Sequence, residues 1–318
     1  MQKYFRVIRS STDRYTVLVD GEPVEMLSRK KNKQDKILVG DWVSYMVESE
    51  QAVIEAIQPR LNTLVRPHVS NIDGVVVVLA ETPTPDFLSI DKMSYNCAYY
   101  DIDFIICINK IDIASKDFIK DIHDRYSNVA YAIVYTSAKN SDINNLYDNI
   151  KSKMYALAGQ SAVGKSSIIN ALLEHSDLNN SRDTKTLSDK SIVDVSKTSE
   201  KISDAPQLTG DLSLKANRGR HTTTGSKLFS LDDETLIVDT PGYSMLDVDT
   251  DINYRELGLY AVDFDEYRGS CKFSTCTHTS EQVCGVKTSV GDGKISQERY
   301  QNYVIAFNEL QIKQKNKY

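Results

Sequence analysis

Short runs in which apolar and polar residues alternate fill the first part of the chain, up to about residue 62. Such alternation is typical of strands that bury one face. Turn signals such as Asp20-Gly21 and Gly40-Asp41 separate these runs. The predicted strands cover residues 6–8, 15–19, 36–39, 42–47 and 52–57. Because no helical pattern lies between them, we predict a small closed β-barrel of the OB type over residues 1–62.

A basic run at residues 29–36 would lie on a loop of this barrel. OB-type barrels bind oligonucleotides partly through their loops, so contact with RNA phosphates is one interpretation. A solvated loop is the other, because runs of charge are common on protein surfaces. The sequence leaves both interpretations open.

Continuous apolar runs replace this alternation after residue 67, as expected for strands buried on both faces of a parallel sheet. We predict strands at 75–80, 104–108 and 130–135, with helices at about 86–100 and 116–126. This strand–helix order indicates an α/β domain, which we place at residues 63–245. Inside it, residues 176–217 are rich in small polar and charged residues, and we predict a mobile polar insert there.

The remaining residues, 246–318, form a third predicted domain that is mostly helical. Within residues 295–312, apolar side chains recur at helical spacing, namely Ile295, Tyr303, Val304, Phe307 and Leu310. This spacing predicts an amphipathic helix that packs on the rest of the protein.

Composition narrows the function classes. A formal net charge of −6 argues against a protein that coats nucleic acid through bulk charge, although it allows a local basic patch. No apolar run approaches the roughly 18 residues that suggest a membrane span. The N-terminal residues lack the apolar core of a secretory signal, so we expect a cytoplasmic protein.

Residues 159–166 have the spacing G-x-x-x-x-G-K-S of a phosphate-binding loop. A short apolar run precedes them and a helical pattern follows, which is the context this loop needs. Backbone N–H groups and the helix N-terminus form a positive cradle for phosphate oxygens. We expect Lys165 to reach the β- and γ-phosphates and the Ser166 hydroxyl to bind Mg²⁺. A chance Gly/Ser turn is the alternative, which the filled positions and both flanks disfavour. The predicted nucleotide contacts are Gly159, Gln160, Ser161, Ala162, Val163, Gly164, Lys165, Ser166 and Ser167.

Two polar tetrapeptides follow predicted strands of the α/β domain. Asn109-Lys110-Ile111-Asp112 follows one strand, and Thr136-Ser137-Ala138-Lys139 follows the next. Ligand sites in open α/β sheets form at the carboxyl ends of strands. A carboxylate at Asp112 can accept from guanine N1–H and from the 2-amino group, and the backbone N–H of Ala138 can donate to guanine O6. Alone, the Asn-Lys-x-Asp tetrapeptide would be read as a polar turn. Together with the phosphate loop, they predict guanine binding by Asn109, Lys110, Asp112, Ser137 and Ala138.

Asp239-Thr240-Pro241-Gly242 ends a hairpin-like pair of strands after the insert. We predict that Asp239 holds Mg²⁺ through water and that the Gly242 N–H meets the γ-phosphate. The preceding segment, 218–225, carries three consecutive threonines, any one of which can close over the same metal. We assign Thr223 to this role, and the sequence does not exclude its two neighbours. Both segments are candidate switches that the γ-phosphate orders.

A Cys/His cluster lies in the C-terminal domain, with the spacing Cys271-x4-Cys276-x-His278-x5-Cys284. Three thiolates and one imidazole suit a closed, structural Zn²⁺ site. A set of buried structural cysteines is the alternative, and it is the better interpretation for Cys97 and Cys107. The segment 247–293 has little apolar sequence for a core of its own, so we expect a metal to stabilise it.

The order of the nucleotide motifs is unusual. Most GTPases run phosphate loop, switch threonine, DxxG, NKxD and SAK, whereas here NKID and TSAK precede the phosphate loop and DTPG comes last. This permuted order, with a barrel before it and a Cys/His cluster after it, resembles the ribosome small-subunit-dependent GTPase A family (RsgA, also called YjeQ or YloQ). The resemblance covers nearly the whole chain.

The resemblance implies hydrolysis of GTP to GDP, stimulated by the small ribosomal subunit, in late maturation of that subunit. It implies GTP and GDP as substrate and product, Mg²⁺ and one structural Zn²⁺ as metals, and the small subunit with its rRNA as partner. We expect no membrane contact and a monomer, although the sequence does not fix the oligomeric state. A GTP-gated RNA-binding module with incidental hydrolysis is the alternative. A nucleotide-dependent kinase is disfavoured by the NKID and TSAK pair.

The residue after DTPG is Tyr243, where many GTPases have the Gln that orients the attacking water. His221, next to the threonines, is the available substitute, because a neutral imidazole can orient water or accept its proton. The family resemblance also points at this histidine. Contact of His221 with rRNA is the alternative. The predicted catalytic residues are therefore His221, Lys165 and Thr223.

The chain departs from the family pattern in three places. Ala162 stands where the family usually has Gly, which is expected to stiffen the phosphate loop. The polar insert is longer than usual. The Cys/His cluster lacks a Pro-Gly that commonly precedes its last cysteine, which leaves the ligand spacing unaffected.

Overall fold

A computed structural model gives the fold of the protein. It describes residues 3–11, 14–28, 36–64, 67–183, 226–232, 234–240 and 246–316. Three of the predicted site residues, His221, Thr223 and Gly242, and the basic run up to residue 35 lie outside the described residues.

The N-terminal region is a closed barrel of five strands. These are β1 (Phe5–Ser10), β2 (Arg14–Val19), β3 (Glu22–Ser28), β4 (Trp42–Glu48) and β5 (Gln51–Ile57). Pairing runs in the order β1-β2-β3-β5-β4, and β4 returns to β1 and closes the barrel. Apolar side chains such as Val7, Val17 and Ile54 fill its interior with almost no exposed surface. The predicted OB-type barrel is confirmed.

One predicted strand of the barrel was wrong. Residues 36–39 form no strand, and β3 takes the third place instead. Pro23 and two glutamates weaken the strand signal of β3, although Pro23 sits near its start, where a missing N–H is tolerated. Ile37, Leu38 and Val39 are nevertheless buried. The chain turns after them, and the Leu38 N–H donates to the Asp41 carboxylate at 2.8 Å.

The central region is a mainly parallel sheet with helices on both faces. Its strands are β6 (Thr63–Leu64) and β7 (Val69–Ser70), a separate short pair, and β8 (Gly74–Leu79), β9 (Asp103–Ile108), β10 (Ala132–Tyr135), β11 (Met154–Ala158), β12 (Lys227–Ser230) and β13 (Leu236–Asp239). Its helices are α1 (Phe87–Tyr100), α2 (Lys116–Tyr126), α3 (Asn144–Ile150) and α4 (Lys165–Asp183). The spatial order is β10-β9-β8-β11-β13, all parallel, with β12 antiparallel at the end. The α/β prediction is confirmed.

Two details of this region differ from the sequence expectations. The short helix α3 was not foreseen, because a seven-residue element gives little periodic signal. Helix α4 runs to Asp183, so the start of the predicted insert at 176–217 continues a helix. Residues 184–217 lie outside the described part of the chain.

The barrel and the central sheet are joined edge to edge. Strand β1 pairs with β12 through Arg9 and Lys227, which makes one continuous 11-stranded sheet. A buried carboxylate fixes the junction, since Asp41 accepts from Arg60 Nε at 2.7 Å and from Ser70 Oγ at 2.6 Å. Gly40 lies in this junction at φ +97°, where a Cβ would meet the Ser70 carbonyl at 2.0 Å.

The C-terminal region consists of helical turns at Tyr254–Leu259 and Val262–Phe264 and helices α5 (Asp265–Arg268), α6 (Gly285–Gly291) and α7 (Gln297–Lys315). The predicted amphipathic helix is confirmed, and its buried residues include Tyr303, Phe307 and Leu310. Ser296 caps its start by accepting from the Arg299 N–H. The core of this region also includes Tyr95 from α1, so the segment 247–293 packs on its neighbours rather than on itself alone.

Candidate nucleotide-binding site and metal centre

The predicted nucleotide segments meet at one edge of the central sheet. Asn109 follows β9, Thr136 follows β10, Gly159 follows β11, and Asp239 ends β13. These strands are parallel, so their carboxyl ends all lie at the same edge. The permuted chain order therefore does not scatter the motifs, because the position of a strand in the sheet decides which loops meet.

The phosphate loop has the backbone shape that its glycines allow. Gly159 has φ +145° and Gly164 has φ +101°, both in the region that favours glycine. A Cβ on Gly159 would meet the Val78 carbonyl at 2.3 Å, and one on Gly164 would meet Asn109 Nδ2 at 2.3 Å. Ala162 has φ +67°, a conformation that costs an alanine roughly 1 kcal/mol relative to glycine.

Asn109 and Lys110 hold the phosphate loop as well as following β9. Asn109 Nδ2 donates to the Val163 carbonyl at 2.9 Å, and Lys110 Nζ donates to the Ala162 carbonyl at 2.8 Å. Asn109 is in turn fixed by Thr136, whose hydroxyl donates to Asn109 Oδ1 at 3.0 Å. The first two residues of the NKID motif are therefore structural clamps on the neighbouring loop.

Asp112 is exposed at the edge of the sheet where the predicted nucleotide segments meet. The buried Ser137 hydroxyl donates to Asp112 Oδ1 at 2.7 Å, which fixes the orientation of the carboxylate. The Ala138 N–H lies 3.4 Å from Asn109 Oδ1, a long and weak contact. The structure thus brings Asp112, Ser137 and Ala138 together beside the phosphate loop.

Lys165 and Asp239 are oppositely charged residues of the site that act on each other electrostatically. The Lys165 ammonium donates to the carbonyls of Gly159 at 2.8 Å and Gln160 at 2.9 Å. Burial lowers the pKa of Lys165, and the charge of Asp239 opposes this shift. Burial raises the pKa of Asp239, and the charges of Lys165 and Lys227 oppose that shift. A lysine and a carboxylate that are each costly to bury alone are thus placed where they compensate each other.

The oxygen donors expected for Mg²⁺ lie on neighbouring elements. Ser166 is exposed in the first turn of α4, and Asp239 is half-buried at the end of the adjacent β13. A hydroxyl and a carboxylate are the hard oxygen ligands that Mg²⁺ takes beside substrate phosphates. The two residues therefore fit the ion.

The four Cys/His side chains of the C-terminal region form one cluster. Their ligand atoms all lie within 4.8 Å of one another. Cys271 Sγ is 3.9 Å from Cys284 Sγ, and His278 Nδ1 is 3.5 Å and 3.4 Å from these two sulfurs. Tetrahedral zinc bonds would put sulfur pairs about 3.8 Å apart and sulfur–nitrogen pairs about 3.6 Å apart. The cluster fits a closed tetrahedral zinc site.

The surroundings of the cluster hold its ligands in place. Tyr300 OH donates to the His278 carbonyl at 2.8 Å, and Tyr303 OH donates to the Thr277 carbonyl at 2.7 Å. Burial lowers the pKa of His278, which favours the neutral, metal-binding imidazole. Burial raises the pKa of the Cys276 thiol to about 12, a shift that a bound dication would reverse. Cys97 and Cys107 are buried elsewhere, as the sequence indicated.

Comparison with known proteins matches this architecture. The family described as RsgA GTPase matches residues 57–249. The chain belongs to the RsgA GTPase family. It is therefore a circularly permuted, GTP-hydrolysing enzyme of that family.

Relatives named small ribosomal subunit biogenesis GTPase RsgA align over most of the chain. The protein of Alkaliphilus metalliredigens is 32% identical and the match covers 96% of this chain and 97% of its own length. The protein of Thermotoga neapolitana is 36% identical, and the match covers 86% of this chain and 84% of that protein. The crystal structure of YjeQ from Thermotoga maritima superposes with a TM-score of 0.68 at 30% identity, covering 98% of this chain and 99% of that one. YloQ, a circularly permuted GTPase, superposes with a TM-score of 0.65 at 29% identity, over 98% and 96%.

Sequence reasoning missed the contacts that assemble this RsgA-type site. Thr136 was only part of a motif, yet it is fully buried and positions Asn109. Gln160 was a variable position of the phosphate loop, yet its side chain accepts from the Asp86 N–H at 3.3 Å, at the start of α1. Neither contact has a sequence signal, because each joins segments far apart in the chain. In the described ranges, every helix is too short or too polar to cross a membrane.

Proposed function

We propose that this RsgA-family GTPase hydrolyses GTP in response to the small ribosomal subunit and acts in late maturation of that subunit. The observation that supports this most is the meeting of phosphate loop, NKID, TSAK and Asp239 at one sheet edge. The relatives that align over nearly the whole chain carry the small ribosomal subunit in their names. Hydrolysis coupled to that particle is the simplest account of both facts.

Guanine selectivity is assigned to Asp112. Its carboxylate accepts from the base N1–H and 2-amino group, a pair that adenine does not offer. The Ser137 hydroxyl, 2.7 Å from Asp112 Oδ1, holds the carboxylate in this orientation. A site built to hydrogen-bond its substrate rejects an analogue without the matching groups by roughly 10⁴-fold. Asn109 and Lys110 hold the phosphate loop beside the base, and the Ala138 N–H donates to guanine O6.

The phosphates are assigned to residues 159–167 and to Gly242. The loop N–H groups bind the phosphate oxygens, and Lys165 exchanges its loop carbonyls for the β- and γ-phosphates. Ser166, Thr223 and Asp239 hold Mg²⁺, which when bound neutralises charge that develops on the transferred phosphoryl group. His221 orients the attacking water as a neutral base. Its segment lies outside the described residues, so this role rests on the sequence and the family.

The Cys271, Cys276, His278 and Cys284 cluster is assigned one structural Zn²⁺. All four positions are filled by protein side chains, which leaves no ligand place for a substrate. The metal then stabilises the C-terminal region, which we propose contacts the small subunit and its rRNA together with the barrel. We propose that the protein acts as a cytoplasmic monomer on that particle.

The test is single-turnover GTP hydrolysis with and without purified small ribosomal subunits. We expect slow turnover by the free protein, strong stimulation by small subunits and no stimulation by large subunits. Unstimulated turnover would reject the proposal and leave a GTP-gated binding module as the function. His221→Ala should abolish the stimulated rate while GTP affinity stays nearly unchanged; unaltered stimulated turnover would remove His221 from the mechanism.

Asp112→Asn provides a matched test of the guanine assignment. The amide replaces one acceptor by a donor, so affinity for GDP should fall by at least about 100-fold. Xanthosine diphosphate, which presents a carbonyl where guanine has its amino group, should then bind better than GDP. Equal affinities of the wild type for GDP and ADP would contradict the assignment.

A further inference from the structure

Lys227 lies directly opposite Asp239 in the antiparallel pair of β12 and β13. Directly opposed residues of such a pair project to the same face of the sheet, with Cβ atoms roughly 5 Å apart. On that face, Phe229 follows Lys227 by two residues, Ile237 precedes Asp239 by two residues, and both pack in the core beneath α3 and α4. The ammonium of Lys227 therefore lies on the side of the sheet where α4 and the phosphate loop begin.

A second cation extends this row from the barrel. Arg9 is opposite Lys227 in the single pairing of β1 with β12. Arg9, Lys227 and Asp239 thus follow one another across three adjacent strands. Arg9 is exposed, whereas Lys227 is half-buried with its Nζ 4.6 Å from the centre of the Phe229 ring.

The charges of these residues act on one another. Burial lowers the pKa of Lys227, Arg9 lowers it further, and Asp239 opposes both effects. Among the residues that the structure describes, Lys165 and Lys227 are the cations that stabilise the ionised form of Asp239. Lys165 belongs to the phosphate loop, so it binds the nucleotide. Lys227 belongs to no nucleotide motif, and the proposed function gives it no role.

We propose that the positive charge of Lys227, which lies beside Asp239 across the strand pair, weakens the retention of Mg²⁺ relative to that of the nucleotide, with Arg9 of the barrel reinforcing the effect. The inference rests on the proposed function, since it requires that Asp239 serves the magnesium ion. A fixed positive charge beside the site repels the dication and attracts the phosphates. It therefore narrows the gain in nucleotide affinity that Mg²⁺ provides.

The measurement is the ratio of two dissociation constants of fluorescent GDP, one in excess EDTA and one in saturating Mg²⁺. This ratio reports how strongly metal and nucleotide support each other. Lys227→Met should raise the ratio of the dissociation constant in EDTA to that in Mg²⁺ about fivefold. GDP should bind more weakly in EDTA, where the lost charge no longer attracts the phosphates, and the affinity gained from Mg²⁺ should increase. Lys227→Arg should restore the wild-type ratio. Arg9→Met should raise it by about twofold, because Arg9 is exposed and screened.

Lys153→Met is the matched control. Lys153 also lies beside a carboxylate, with Nζ 2.7 Å from Asp103 Oδ2, but it precedes β11 at the opposite edge of the sheet. Its removal should leave the ratio unchanged. A ratio for Lys227→Met equal to or below that of the wild type would overturn the inference. Absence of any Mg²⁺ effect in the wild type would instead reject the magnesium site of the proposed function. Thermal melts of each variant identify a folding defect.

Discussion

The central domain carries a neighbour on each side, and the two junctions are built differently. The barrel is joined by a strand pair and by Asp41, whose partner Arg60 is 22% exposed. The C-terminal region is joined by Asp91 and Arg299, whose side chains are 1% and 2% exposed. Arg299 also forms a two-pronged ion pair with Asp263, at 3.0 and 3.1 Å.

The difference concerns what each junction is attached to. The barrel is paired with β12, the strand beside the Asp239 strand, so its contact leads directly to the proposed magnesium carboxylate. The C-terminal region packs on α1, whose start is tied to the phosphate loop through Gln160. The strand pair of the barrel junction therefore lies next to the metal side of the site, whereas the buried ion pair of the C-terminal junction lies on α1, behind the phosphate loop.

Loss of a zinc ligand should have the largest effect on the stability of the two neighbouring regions. Cys276→Ser should remove one equivalent of Zn²⁺ per chain and unfold much of the C-terminal region, because structural zinc binding is worth about 10 kcal/mol. Zinc content and hydrogen exchange of residues 246–316 measure this. GDP affinity should change less than about twofold if the junction isolates the nucleotide site. Cys97→Ala, at a buried cysteine outside the cluster, should keep its zinc. Zinc retention in Cys276→Ser would contradict the site.

Removal of the buried arginine should have the next largest effect. Arg299→Met leaves Asp91 buried without its cation, although Tyr126 OH and Asn302 Nδ2 still donate to it at 2.9 and 2.7 Å. We expect a loss of about 3–5 kcal/mol in the free energy of unfolding, measured by urea denaturation. Arg14→Met, at an ion pair with Glu25 that is mostly exposed, should cost less than about 1 kcal/mol. Equal losses of unfolding free energy in the two variants would show that the buried ion pair stabilises the protein no more than an exposed one.

The barrel junction should respond less strongly. Asp41→Asn removes the negative charge that faces Arg60. It also replaces one carboxylate oxygen by an NH₂ group, which cannot accept from the Ser70 hydroxyl or from the Leu38 N–H. Because water reaches Arg60, we expect a loss of about 2 kcal/mol in the free energy of unfolding. Hydrogen exchange should rise in β1 and β12 and stay unchanged in α7. Faster exchange in α7 would mean that the two junctions are not independent.

The turn between β12 and β13 should have the smallest effect, and it depends on pH. Burial would raise the pKa of Asp232, but hydrogen bonds from Tyr147 OH and from the backbone N–H groups of Glu234 and Thr235 lower it below 3.8. The stabilisation is therefore complete above pH 3.8 and is lost as the pH falls below that value. Asp232→Asn should cost about 1 kcal/mol at pH 7. The difference in melting temperature between the variant and the wild type should become smaller toward pH 3. A difference in melting temperature that does not change with pH would refute the assignment.

Local patterns along the chain were sufficient for the three regions, for most of the strands and helices, and for recognising the phosphate loop and the Cys/His set. Backbone requirements act within a few residues, so Gly159 and Gly164 were recognisable from spacing alone, and so was the Cys/His set. The structure shows the same glycines at positive φ and the same four ligands within bonding reach of one ion.

Only the tertiary structure decided which distant segments meet. Several contacts join residues that are far apart in the chain. They are the hydrogen bonds of Asn109 with Val163 and with the buried Thr136, the pairing of Arg9 with Lys227, and the ion pair of Asp91 with Arg299. The sequence carries no local trace of them, because a polar side chain has the same pattern whether water or a distant partner satisfies it. The third barrel strand was missed for a related reason, since pairing on both sides, rather than its own composition, makes Glu22–Ser28 a strand.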